Sequence, residues 1–250
     1  MVAPVPAAAT HHDPERGQAT AGTTRARSIH QDPERGQAPD RDTPRERLVC
    51  GINAAVAEKG YGPTTIADVV RHARVSKRTF YEHFDDKQAC FLAAYDTASA
   101  HVLGAMSAAA AADAPWQQRV DLVVAAYLSA MAARPELTQT FLIEILGAGP
   151  AGLARRREAI ERFAAQLVLL GADFRREQPD LRELTPALAT AVVGAVNELV
   201  LGAVERGRAS ELTELRQPAV ELIRAVLSGD ARGETRVAEH PSAASTTDTA

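Results

Sequence analysis

Apolar residues return every three or four positions through most of residues 43–228, and no useful stretch alternates with a period of two. That pattern predicts helices and no sheet. Leu48, Val49, Ile52, Ala55 and Val56 form the inward face of a first helix. Thr43 and Glu46 stand at capping-box spacing at its start, Pro44 takes its first position, and Gly60 stops it. Thr64 or Thr65 caps a second helix, whose inward residues are Ile66, Val69, Val70 and Ala73. Arg74 and Val75 make a turn. Ser76 caps a third helix, anchored by Phe80 and Phe84 at i, i+4.

Asp85 or Asp86 caps a long fourth helix over about 87–111. Further helices are expected over 115–133, 136–147, 151–177, 185–207 and 211–228, with boundaries at Pro135, the Gly147–Pro150 run, Pro179, Gly207 and Gly229. The fold class is therefore all-α, with about nine helices: a three-helix head over 43–88 and a larger helical body over 89–228. The flanks differ in kind. Residues 1–42 lack large apolar side chains and carry the heptapeptide DPERGQA twice, at 13–19 and 32–38. They read as a disordered arm, as does the tail over 229–250.

Composition narrows the function class. With 46% hydrophobic and 24% charged residues the chain is globular, and its net charge of −4 excludes a basic coat for nucleic acid. Contact with DNA has to come from a local patch. Cys50 and Cys90 form no CxxC pair, so neither a zinc site nor a disulfide framework is expected. No signal sequence and no continuous membrane-length apolar run are evident, which makes the cytoplasm the expected location. Of the seven histidines, only His101 lies in the helical body, and HExxH and GxSxG are absent. No enzyme, metal or cofactor is expected on these grounds.

The basic patch is at 71–83, where Arg71, Arg74, Lys77 and Arg78 face one acid, Glu82. Two short helices joined by a tight turn present a second helix to the major groove in a helix-turn-helix. Lys77, Arg78, Thr79 and His83 offer hydrogen-bonding groups to base edges. Thr64, Thr65, Tyr81 and Lys87 are placed to hold phosphate and set register. Arg74 and Ser76, at the turn and the cap, complete the candidate DNA-binding set.

Residues 45–61, RERLVCGINAAVAEKGY, and 64–95, with VSKRTFYEHF at their centre, resemble the N-terminal domain of the TetR family of bacterial transcriptional regulators. The strong resemblance covers about a fifth of the chain. It implies that Lys77, Arg78, Thr79, Tyr81 and His83 face DNA, and that Thr65 and Lys87 bind backbone phosphate. It also implies that the helices from about 96 onward sense a ligand and dimerise. Four positions depart from the family pattern. Arg74 stands at the usual turn glycine, Gly51 and Asn53 stand where apolar residues or alanine are preferred, and Val56 stands where phenylalanine is common. A more loosely packed first helix is the expectation.

For dimerisation, the broad apolar surfaces of 185–207 and 211–228 suit a four-helix bundle with a second copy, and a two-fold head matches DNA half-sites about 34 Å apart. The candidate ligand contacts are Trp116, Tyr127, Met131, Phe141 and Glu144. Glu144 is the sharpest of them, because a carboxylate inside FLIEIL needs solvent, a cation or a ligand. Arg155, Arg156 and Arg157 are its candidate cations. Cys50 and Cys90 read as inert thiols. The resulting expectation is a homodimeric, ligand-responsive regulator of a near-palindromic operator, a repressor released by a small molecule. An activator, or a helix-turn-helix module for protein contact, is the alternative.

Overall fold

The computed structural model describes residues 43–229. The repeated arm and the C-terminal tail lie outside them. Every regular element among the described residues is helical. The head comprises α1 (Pro44–Lys59), α2 (Ile66–Ala73) and α3 (Lys77–His83), seated on the start of α4 (Lys87–Ala110). The body adds α5 (Trp116–Ala132), α6 (Pro135–Gln139), a π-helical turn (Thr140–Glu144), α7 (Ile145–Gly147), α8 (Gly149–Glu177), α9 (Pro186–Glu205) and α10 (Arg216–Ser228).

The head closes around Leu48, Ile52, Val56, Val69, Phe80 and Phe91, each at most 2% exposed. The capping box at Thr43 forms as expected, with Thr43 Oγ1 accepting from the Glu46 amide at 3.2 Å and Glu46 accepting from the Thr43 amide at 2.8 Å. The first helix is tighter than expected. A Cβ on Gly51 would lie 2.7 Å from the Val69 carbonyl oxygen and 2.9 Å from Ala73 Cβ. Gly51 thus lets α2 lie directly on α1. Cys90, also buried, points its thiol at the Leu48 carbonyl 3.7 Å away.

Arg74 adopts the left-handed conformation, φ 54° and ψ 44°. The Val75 amide then closes back on the Val70 carbonyl at 3.2 Å, ending α2 in a Schellman-type turn. Two body boundaries differ from expectation. The helix expected over 136–147 is interrupted by the π-turn. Thr138, which also donates to Met131 O of α5 at 2.6 Å, donates back to Arg134 O at 3.3 Å, and Thr140 donates back to Glu136 O at 3.0 Å. Such back-bonding by hydroxyls bends helices. The helix expected from 211 begins as a 3-10 segment over Ala209–Leu215 and becomes α-helical only at Arg216. An α-helix begun at 211 would hold Pro218 in its interior; begun at 216, it holds Pro218 in the first turn, where the missing amide costs nothing.

At the far end of the body, Arg119 is only 9% exposed. It donates to Ala110 O at 3.0 Å, Glu177 at 2.7 Å and Asp173 at 2.5 Å, and lies over the Phe174 ring. Trp116 joins this clamp by donating to Gln178 at 2.8 Å.

Replacing Gly51 with alanine should destabilise the protein by about 1–3 kcal/mol through overpacking, against a helix-propensity gain of about 1 kcal/mol. Arg74→Gly should stabilise it by about 0.5–1 kcal/mol, because the left-handed conformation no longer strains a Cβ. Urea denaturation midpoints at constant m-value measure both.

Candidate nucleic-acid interface

α3 is held by what it buries. Phe80 is 0% exposed and Phe84 6% exposed. Their rings lie 6.0 Å apart, with the Arg45 guanidinium 5.2 Å over the Phe84 ring. Ser76 caps the helix by accepting from the Thr79 amide at 3.0 Å, and its hydroxyl meets the Thr79 hydroxyl at 2.9 Å. These contacts turn the opposite face outward. Ser76, Lys77, Arg78, Tyr81 and His83 are exposed, and Thr79 is half-buried beside its cap. Arg78 folds back on Glu82 at 3.1 Å, an i, i+4 pair in which the arginine side chain is 90% exposed. An exposed pair of this kind contributes well under 1 kcal/mol, so it orients the guanidinium without withholding it. Arg74, at the turn, is exposed.

The approach to α2 is a second polar cluster. Thr65 caps α2 and gives both its amide, at 2.8 Å, and its hydroxyl, at 2.6 Å, to Asp68. Lys59 pairs with the same carboxylate at 2.7 Å. Lys59 and then Thr65 hold the Asp68 carboxyl well below the ordinary carboxylate range. Thr65 is exposed, so a phosphate at this helix start would compete with Asp68 for it.

Thr64 does not share this position. It is 2% exposed, and its hydroxyl donates to Gly60 O at 2.7 Å and Ala55 O at 3.2 Å. It braces the loop between α1 and α2 and is turned away from any phosphate. Lys87 is also engaged. Its ammonium donates to Tyr61 O at 2.8 Å and Gly62 O at 3.2 Å and sits 4.2 Å from the Tyr61 ring centre. Partial burial lowers its pKa.

Tyr61 escaped the sequence reading. Its ring packs on Phe91 at 4.6 Å, its carbonyl receives Lys87, and its amide donates to Glu144 at 2.7 Å. Glu144 thus finds its partner in a backbone amide of the head; Arg155 pairs with Asp96 instead. Gly60 makes the approach possible. Its φ is +82°, and a Cβ there would lie 3.3 Å from a Glu144 oxygen. The unexplained carboxylate in FLIEIL was the only sequence signal for this junction.

The five candidate ligand contacts do not converge. Tyr127, hydrogen-bonded to Asn197 at 3.0 Å, lines an apolar cavity of about 50 Å3 between α5, α8, α9 and α10. A smaller cavity of about 30 Å3 adjoins it, sharing Val123, Leu167, Val192 and Ile223. Met131 and Phe141 line a different cleft, described below, with Phe141 stacked on Tyr95 at 4.5 Å. Trp116 belongs to the Arg119 clamp, and Glu144 to the Tyr61 junction. Among the described residues no three His, Cys, Asp or Glu side chains gather as a metal site. By length and composition α9 is apolar enough to cross a membrane. Asn197 and Glu198 interrupt it at mid-helix, and one side of it packs on α8.

Residues 53–94 match the family model described as bacterial regulatory proteins, tetR family. No curated protein matches the chain. Several solved structures share its fold. The fatty acid degradation regulator FadR from Bacillus halodurans aligns with a TM-score of 0.67 at 17% identity, over 76% of this chain and 97% of its own. The transcriptional regulator FadR from Bacillus subtilis, solved in complex with stearoyl-CoA, aligns with a TM-score of 0.65 at 16% identity, over 72% and 98%. A tetR-family regulatory protein from Rhodococcus RHA1 aligns with a TM-score of 0.59 at 18% identity, over 74% and 97%. Head sequence and overall fold agree: residues 53–94 match the tetR-family model, α2 and α3 within them form the helix-turn-helix, and the described residues share the fold of solved tetR-family proteins.

Proposed function

We propose that the protein is a cytoplasmic homodimeric repressor that binds a near-palindromic operator and leaves it when an apolar effector enters the body. The observation that carries this reading is the outer face of α3. A helix locked by two buried phenylalanines presents Lys77, Arg78, Tyr81 and His83 to solvent together. Lys77 and Arg78 are the base-reading groups, because their donors match guanine O6 and N7. Tyr81, Thr65 and the start of α2 hold phosphate. Lys87 joins them only by giving up its two carbonyl partners.

α9 supports the dimer. Only 33% of its most apolar window is buried within the chain. Ala187, Ala191, Gly194 and Ala195 lie exposed on its free side, and small residues there let a second copy of the helix come close. α10, with Leu222, Ile223 and Val226 half-buried, extends that surface. A four-helix bundle of two copies buries it.

The effector site of this reading is the apolar slot of Tyr127. The relatives named for fatty acid degradation, one of them carrying stearoyl-CoA, make a fatty acyl group the first candidate. At about 30 and 50 Å3 the two cavities are far smaller than the cavity of about 150 Å3 that admits benzene. An acyl chain therefore enters only by separating α8 from α9 and α10. That movement supplies what an effector needs, a difference in affinity between two states of the body.

Duplexes selected from a random pool by the full-length protein provide the operator for testing. Arg78→Ala and Lys77→Ala should each weaken binding about tenfold or more and relax base choice at one position per half-site. Unchanged gel-shift affinity in both variants overturns the assignment. In light scattering the 26.6 kDa chain should run as a dimer. Stearoyl-CoA should lower operator affinity, and Val196→Phe, which fills the slot, should remove that response while leaving DNA binding intact.

A further inference from the structure

A second cavity lies where the DNA head meets the body. It is about 240 Å3, several times larger than either part of the apolar slot, and α1, α4, α5, α6 and the π-turn all contribute to it. Its floor is apolar or already satisfied. Met131 is 3% exposed and Phe141 9% exposed, and the buried Thr138 hydroxyl is spent on Met131 O and Arg134 O. Its rim is different. Cys50, Asn53, His101 and Arg134 all line it, and none of the four side chains makes a hydrogen bond or ion pair among the described residues.

The charge on this lining is one-sided. Arg134 is a permanent cation, His101 an ionisable one, and no acidic side chain lines the cleft. Glu136 lies in the shallow groove alongside, where Arg134 also sits, without pairing with it. The volume exceeds that of a cavity admitting a single benzene ring.

From this we infer a second small-molecule site, distinct from the Tyr127 slot, for a compact aromatic or short aliphatic carboxylate. The apolar body rests on Phe141 and Met131, the carboxylate meets the Arg134 guanidinium, and His101 and the Asn53 amide complete the rim. Planar pairing with a carboxylate is what a guanidinium does best. The occupant touches α1 of the head and the π-turn of the body at once. Glu144, which holds the Tyr61 amide, closes that same turn. Occupancy therefore bears on the seat of the DNA head whether or not the apolar slot is an effector site.

Cys50 reports on the cleft directly. It is the chain's exposed thiol; Cys90 is buried, and burial pushes its thiol up to about 12. The experiment follows alkylation of Cys50 in the full-length protein by iodoacetamide, in the presence of 2-naphthoate or the uncharged 2-naphthalenemethanol. Millimolar naphthoate should slow alkylation about tenfold, and the alcohol should protect far less, the difference reflecting one charge-assisted hydrogen-bond pair. Arg134→Gln should erase that difference. Ala98→Phe, which fills the cleft, should abolish protection by either compound, and Val196→Phe in the slot should preserve it. Equal protection by acid and alcohol, no protection at millimolar naphthoate, or protection that survives Arg134→Gln and fails in Val196→Phe overturns the site.

Discussion

Everything the head can do depends on how residue 61 is held. The Tyr61 amide donates to Glu144 from the body, and its carbonyl accepts from Lys87 at the start of α4. Its ring fills the space against Phe91. One peptide unit on either side of one residue is thereby tied to two elements distant in sequence. The loop that follows leads into Thr65, the cap of α2, and α2 carries α3 through the left-handed turn at Arg74. A hydrogen bond to an ionised group is about twice as strong as a neutral one. Both ties at Tyr61 are of that kind, and neither relies on a flexible pair of side chains.

This arrangement explains why the body is built with a π-turn. An uninterrupted helix over 136–147 would present Glu144 at a rotation set by the helix repeat alone. The back-bonded Thr138 and Thr140 and the extra residue of the π-turn change that rotation, and Glu144 meets the loop. Such turns recur at functional positions in other helices. The turn also lies on the cleft lined by Arg134 and Cys50, while the apolar slot sits further from the head, between α5, α8, α9 and α10. The body thus holds two cavities, one on the junction and one behind it.

Much of the head was legible in the sequence. Capping residues, the Phe80–Phe84 pair and the basic turn each have a local signature, and local signatures survive folding when tertiary contacts agree with them. What the sequence concealed were contacts made to backbone. Thr64 looked like a phosphate ligand, yet two carbonyls claim its hydroxyl. Lys87 looked free, yet two carbonyls claim its ammonium. Glu144 looked in need of a cation or a ligand, yet an amide satisfies it. A backbone partner has no residue type, so no pattern in the chain announces it. Gly51 shows the same limit in packing: as a departure from an apolar pattern it suggested a looser helix, and the close approach of α2 makes it a requirement. Pro218 was the opposite case, a local rule that was present and overlooked, since it fixes where α10 can begin.

In the proposed dimer, the Glu144–Tyr61 bond would set the orientation of each head relative to the body, and hence the half-site spacing that the dimer accepts. The direct measurement compares the parent protein with Glu144→Ala on duplexes whose selected half-sites are moved apart or together by one and two base pairs. The parent should bind one spacing and lose affinity steeply on either side. Glu144→Ala should tolerate the displaced sites while keeping the same base preference within each half-site. An identical dependence on spacing in the two proteins would contradict the account.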